Sequence, residues 1–123
     1  MTPKTVMLIE DDSTMVKLLG TLLTFEGYVI APLENDDTLD SIMESVRREK
    51  PEIILLDVHL RNINGFDLLH HLRADQETKH IRILMSSGMD LRERCLSEGA
   101  DNFILKPYMP EDLLSSILQT IEE

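Results

Sequence analysis

A parallel α/β sheet with helices on both faces is the fold class this sequence predicts, and three observations predict it. Short apolar runs alternate five times with amphipathic stretches. The runs are continuous rather than polar-alternating, as strands buried on both faces require. The connections are too short to hold a second domain, so right-handed crossovers return each strand to one sheet. Residues 1–123 are read as one domain.

The elements follow in order. Val6-Met7-Leu8-Ile9 is the first strand and runs into Glu10-Asp11-Asp12. Asp12 or Ser13 caps a helix carrying Met15, Leu18, Leu19, Leu22 and Leu23, which Gly27 ends. Tyr28-Val29-Ile30-Ala31 is a second strand, closed by Pro32. Asp36-Asp37 is expected to cap a helix with Leu39, Ile42, Met43 and Val46 on its apolar face, and Pro51 to stop it. Ile53-Ile54-Leu55-Leu56 then ends at Asp57. Asn64-Gly65 leads into a helix with Phe66, Leu68, Leu69 and Leu72.

Ile81 to Met85 is the fourth strand, ending at Ser86-Ser87-Gly88. A short helix over Leu91 to Ser97 precedes Gly99-Ala100, and Phe103-Ile104-Leu105 is the fifth strand. Pro110 suits the first turn of a last helix, with Glu111 and Asp112 at its positive end. Leu113, Leu114, Ile117, Leu118 and Ile121 are expected to face inward. This pattern sets the class but leaves the order of the strands open.

Composition narrows the function. The net charge of −11 disfavours direct nucleic-acid binding, which needs Lys and Arg to neutralise phosphates, and equally disfavours an anionic membrane surface. A solvated acidic surface accounts for such charge just as well. One cysteine, Cys95, permits no internal disulfide and reads as a small apolar residue packed on a helix. No apolar run approaches a membrane span, and Met1-Thr2-Pro3-Lys4 leads into too few apolar residues for a signal segment. A cytoplasmic protein is expected.

Three of the predicted strands end in charge: Glu10-Asp11 after the first, Asp57 after the third, and Lys106-Pro107 after the fifth. Open α/β sheets bind ligands beyond the carboxyl ends of their strands. Crowded carboxylates repel one another, so the cluster calls for a cation. Hard oxygen donors suit Mg²⁺, and Lys106 adds a fixed positive charge that can pair with Asp57 or with a phosphoryl group. Ser86 and Ser87 offer hydroxyls at the same edge, and Gly88 lets the backbone approach closely. A nucleophilic Asp with Mg²⁺, Lys and Ser is the equipment of phosphoryl transfer.

Taken jointly, Leu8-Ile9-Glu10-Asp11-Asp12, Ile54-Leu55-Leu56-Asp57 with Gly65 eight positions on, the serine pair before Gly88, Gly99-Ala100, and Phe103-Ile104-Leu105-Lys106-Pro107 resemble one family over essentially the whole chain. It is that of the receiver domains of two-component response regulators, including the single-domain chemotaxis regulators. The resemblance implies a flavodoxin-like strand order 2-1-3-4-5. It implies that Asp57 is the phospho-acceptor, and that Glu10, Asp11, Asp57 and the backbone carbonyl of His59 bind Mg²⁺ or Mn²⁺. Lys106 then contacts the phosphoryl group, Ser87 is the switch hydroxyl, and Phe103 is the aromatic that turns inward on activation. A sensor histidine kinase or phosphotransfer protein would supply the phosphoryl group. A downstream effector or fused output domain would read it. Self-dephosphorylation rather than enzymatic turnover would end the signal.

Departures from the family pattern are informative. Arg61 stands where proline is usual, adding a cation to a less rigid loop. His59, two positions past the acceptor, and Met89, two past Ser87, are placed to modulate access of water to an acyl phosphate; a solvent-facing loop histidine is the plainer reading of His59. From Ser87 to Gly99 the chain is about three residues shorter than the family pattern, so a shortened fourth helix or trimmed lead-in loop is expected. His70 and His71 read as helix-surface residues and His80 as a loop residue.

Three rival readings compete with this one. A haloacid-dehalogenase-type phosphatase also uses a strand-end Asp, but Asp57-Val58-His59 lacks that family's second acid. A flavin-binding module needs a phosphate loop after the first strand, where Glu10-Asp11-Asp12 would repel phosphate. A receiver-like interaction domain that is never phosphorylated is opposed only by the intact set of site residues. The cognate kinase, the output, the oligomeric state and the phosphorylated lifetime are not legible. A stand-alone regulator and a receiver within a larger one also look alike.

Overall fold

Residues 6–9 and 53–56 are almost wholly buried, and this forces them into the middle of a sheet. The computed structural model describes residues 3–34 and 36–122; Met1 and Thr2, part of the lead-in read above, lie outside them, as do Asn35 and Glu123. The strands are β1 (Thr5–Ile9), β2 (Val29–Ile30), β3 (Ile53–Asp57), β4 (Arg82–Ser87) and β5 (Asn102–Leu105). The helices between and after them are α1 (Ser13–Phe25), α2 (Leu39–Glu49), α3 (Gly65–Ala74), α4 (Arg92–Ser97) and α5 (Pro110–Glu122). All pairings are parallel, in the order β2-β1-β3-β4-β5. The expected fold class and strand order are both observed.

Strand periodicity divides the core in two. Met7, Ile9, Ile54, Leu56, Ile83, Met85 and Phe103 pack with α2, α3 and Cys95 of α4. Val6, Leu8, Ile53, Leu55, Leu84 and Ile104 pack with Leu19 and Leu23 of α1 and Leu113 and Ile117 of α5. Each such side chain contributes roughly 1.5–3 kcal/mol by leaving water, so the two clusters fix the register that aligns the strand ends.

Several local expectations are corrected. Thr38, not the Asp36-Asp37 pair, caps α2, its hydroxyl accepting from the Ser41 amide. That helix ends because Lys50 enters the left-handed region at φ 48°, one residue before Pro51. Only Val29 and Ile30 of the second apolar run pair as strand, since β2 is an edge with β1 on one side only. Leu118 is 51% exposed, while Leu113 and Ile117 occupy the inward stripe of α5. Ser86 and Ser87 belong to β4 itself and are buried.

Two local expectations stand, the Asp12 cap and the buried Cys95. Asp12 caps α1 by accepting from Thr14 and Met15 amides, and Asn64 caps α3. Cys95 is wholly buried. The fourth helix has only six residues and no side-chain cap. Gly65 is required by space: a Cβ there would lie 2.6 Å from the Asp57 carbonyl oxygen. No helix among the described residues is long and apolar enough to cross a membrane.

Candidate functional site

The parallel register brings Glu10, Asp57, Ser87 and Lys106 to one sheet edge. Ile9 pairs with Leu56, Asp57 with Ser86, and Ser87 with Leu105, so the residues just beyond β1 and β5 flank those closing β3 and β4. Lys106 reaches across this edge. Its Nζ donates to Glu10 Oε1 at 2.6 Å and to Asp57 Oδ2 at 3.0 Å. Both carboxylates are largely buried, and Lys106 is partly so.

The electrostatics of this trio follow from burial first. Burial pushes Asp57 upward; the Lys106 hydrogen bond opposes this, but the Glu10 charge adds to it, and Asp57 ends above the usual carboxylate range. Burial pushes Glu10 upward too, yet the Lys106 hydrogen bond, the Asp12 amide and the Lys106 charge outweigh it, and Glu10 ends below its ordinary value. For Lys106 burial acts downward, and the two carboxylates more than reverse it. Of the two acids that share Lys106, Asp57 is thus shifted up and Glu10 down, while Lys106 itself is shifted up. The sequence offered Lys106 as a partner for Asp57; that Glu10 shares it needed the tertiary structure.

Asp11 is placed differently. Its Oδ2 accepts the backbone N–H of Arg61, which ties the end of β1 to the loop between β3 and α3. That loop is closed by a bridge between His59 and Asn64 and by the Gly65 amide donating to Val58 at 3.0 Å. Glu10, Asp11, Asp12, Ser13, His59, Leu60 and Arg61 line an open cleft beside the trio. The His59 side chain is exposed, and its amide lies 3.3 Å from Asp57 Oδ1.

Glu10, Asp11, Asp57 and the His59 carbonyl are all hard oxygen donors, and Lys106 pairs with two of the three acids. In chemistry they fit a divalent cation that prefers oxygen and keeps some water. Among the described residues no three acid, His or Cys side chains are gathered as a ligand group. Glu10 and Asp57 are instead held by Lys106, and Asp11 by the loop.

Ser87 is wholly buried, and its Oγ accepts the Met89 amide at 3.0 Å, which pins the turn after β4. Met89 itself is 59% exposed. Phe103 pairs in register with Met85, two residues before Ser87, so both side chains lie on the α4 side of the sheet. Phe103 is only 2% exposed and packs inside the core.

Sequence reasoning missed Arg92, at the start of α4. Its guanidinium donates to the Phe103 carbonyl at 2.8 Å and stands 5.8 Å from the Phe103 ring centroid. It also lies 3.4 Å from Asn102 Oδ1, and Asn102 donates to Thr120 of α5 at 3.1 Å. An exposed arginine in a charged run carries no sequence signal of this role. His70, read as a surface residue, is exposed and pairs with Glu98 at 2.7 Å.

With this geometry in hand, the likeness to known proteins is specific. A family model described as the response regulator receiver domain matches residues 6–118. The DNA-binding response regulator MtrA of Mycobacterium tuberculosis is 29% identical over 112 residues, 91% of this chain and 48% of that protein. The chain therefore spans about half the length of such relatives. A putative response regulator from Chloroflexus aurantiacus superposes with a TM-score of 0.86 at 23% identity, covering 99% of this chain and 100% of that one. The receiver domain of the sensor histidine kinase PA1611 from Pseudomonas aeruginosa, which has a magnesium ion in its active-site cleft, superposes at 0.83 and 20% identity, covering 99% and 100%.

Proposed function

The chain belongs to the response regulator receiver domain family, whose standard function is to be phosphorylated on an aspartate, and from that premise we propose that Asp57 is the acceptor here. The observation that carries this reading is the Lys106 ammonium, 3.0 Å from a buried Asp57 carboxylate that closes β3. Asp57 is 7% exposed at the carboxyl end of β3, beside the cleft that Glu10, Asp11 and His59 line. An Asp57 oxygen attacks the phosphorus of a phosphohistidine; the P–O bond forms as the P–N bond breaks, and the histidine leaves with the electron pair. The donor is a sensor histidine kinase or a phosphotransfer protein.

Glu10, Asp11, Asp57 and the His59 carbonyl would hold Mg²⁺ or Mn²⁺, whose chemistry is to neutralise charge on the transferring oxygens. Lys106 exchanges part of its carboxylate pairing for the new phosphoryl oxygens. Ser87 donates its hydroxyl proton to one of them, and because its Oγ also anchors Met89, any movement pulls the turn after β4. Phe103 is buried in register with Met85 of β4, and the signal would pass through that turn, through Phe103 and through Arg92, which ties α4 to Phe103. His59, Arg61 and Met89 border the site and would tune how fast water removes the phosphoryl group. The reading is of one domain over residues 1–123 working in the cytoplasm on a partner protein or fused output domain, without direct nucleic-acid or membrane contact.

Incubation with Mg²⁺ and acetyl phosphate tests this by intact-mass spectrometry. The wild-type protein is expected to gain one phosphoryl mass and Asp57→Asn none. No gain in the wild-type protein would replace this reading with an interaction domain that is not phosphorylated.

A further inference from the structure

We propose that the Arg61 backbone amide is a latch that competes with the divalent cation for Asp11, and so sets the metal affinity of the site. The inference rests on the reading above that Asp11 is a metal ligand. Two observations carry it.

First, the Arg61 N–H is donated to Asp11 Oδ2, so a carboxylate oxygen is already engaged by a hydrogen-bond donor. A cation bound to Asp11 repels the positive end of that N–H dipole, so the two partners oppose each other. Second, the amide belongs to the loop that carries His59, the residue whose carbonyl would complete the ligand set. The His59–Asn64 bridge closes that loop, so drawing Arg61 toward Asp11 also constrains His59.

The device is a backbone donor, so the identity of residue 61 matters through its N–H more than through its charge. A proline has no N–H and cannot form the latch. Alanine keeps the N–H and removes the guanidinium. The two substitutions therefore separate the amide from the side-chain charge, which would also repel a cation from the cleft.

Mg²⁺ binding is measured by calorimetry and by amide NMR on the wild-type protein, Arg61→Ala and Arg61→Pro. The proline variant is expected to bind about tenfold more tightly than the alanine variant, the size of effect a charge-assisted hydrogen bond supports. In the wild-type protein the Arg61 amide is expected to be protected from exchange without metal and to lose protection at the midpoint of the Mg²⁺ titration. Equal affinities in the alanine and proline variants would assign the effect to charge and overturn the latch. Should the proline variant not fold, an Arg61 amide that stays protected at saturating Mg²⁺ overturns it instead. Phosphoryl uptake from acetyl phosphate by the wild-type protein is read in parallel. Its absence removes the functional reading, whereas its presence with equal variant affinities removes the latch alone.

Discussion

Lys106 Nζ sits closer to Glu10 Oε1, at 2.6 Å, than to Asp57 Oδ2, at 3.0 Å. The ammonium is thus shared between an acid shifted below its ordinary value and one shifted above it.

Replacing Lys106 by methionine keeps the apolar stem and leaves both carboxylates without their cation. Breaking a fully buried pair costs about 3–5 kcal/mol; because Lys106 is partly solvated, a loss of roughly 2 kcal/mol is expected at pH 7. Urea denaturation reads it, and phosphoryl uptake should fall at the same time. An unchanged urea midpoint would mean that solvent already screens the trio.

Opposite pH dependences are expected for the two acids. The folded state raises Asp57, so its ionised form is penalised above that raised value. The penalty vanishes as pH falls through the folded value toward 3.8. Asp57→Asn should therefore stabilise the protein at pH 7, on the order of 1 kcal/mol or a few degrees in Tm, with the gain closing on acidification. Glu10 is lowered, so its stabilisation is present above 4.5 and is lost as pH falls through the lower folded value. Glu10→Gln should thus cost stability at pH 7, and the cost should fade as pH falls below 4.5. Thermal melts across pH 3–8 give both signs.

Arg92 holds a six-residue, uncapped α4 against β5. Arg92→Ala should cost about 1 kcal/mol and speed amide exchange over residues 89–98. Arg92→Lys should restore little of this, because a lysine cannot fork to both the Phe103 carbonyl and Asn102. Hydrogen-exchange mass spectrometry decides it; exchange unchanged in the alanine variant would show that apolar packing alone seats the helix.

Burial, with the Glu98 charge adding to it, pushes the Cys95 thiol up to about 11. At pH 8 the folded protein should react with a thiol reagent at least about a hundredfold more slowly than the urea-unfolded chain. Equal rates would place Cys95 at the surface.

The class of fold was legible because continuous apolar runs such as Ile53–Leu56 have no stable place except the middle of a parallel sheet. The charged strand ends were legible for the same reason: Asp57 and Lys106 are where each apolar run stops. Caps and edges were less so. The expected Asp36-Asp37 cap lost to Thr38 because whichever oxygen can reach a free amide is settled by backbone path, not by composition.

What the chain order by itself determined is which chemical groups are available and that they end strands. Tertiary structure alone decided how they are shared. Glu10 and Lys106 stand 96 residues apart in sequence, Asp11 and Arg61 stand 50 apart, and no local pattern couples positions at such separations. Their pairing follows from strand register, which is set by two buried hydrophobic clusters acting over the whole sheet.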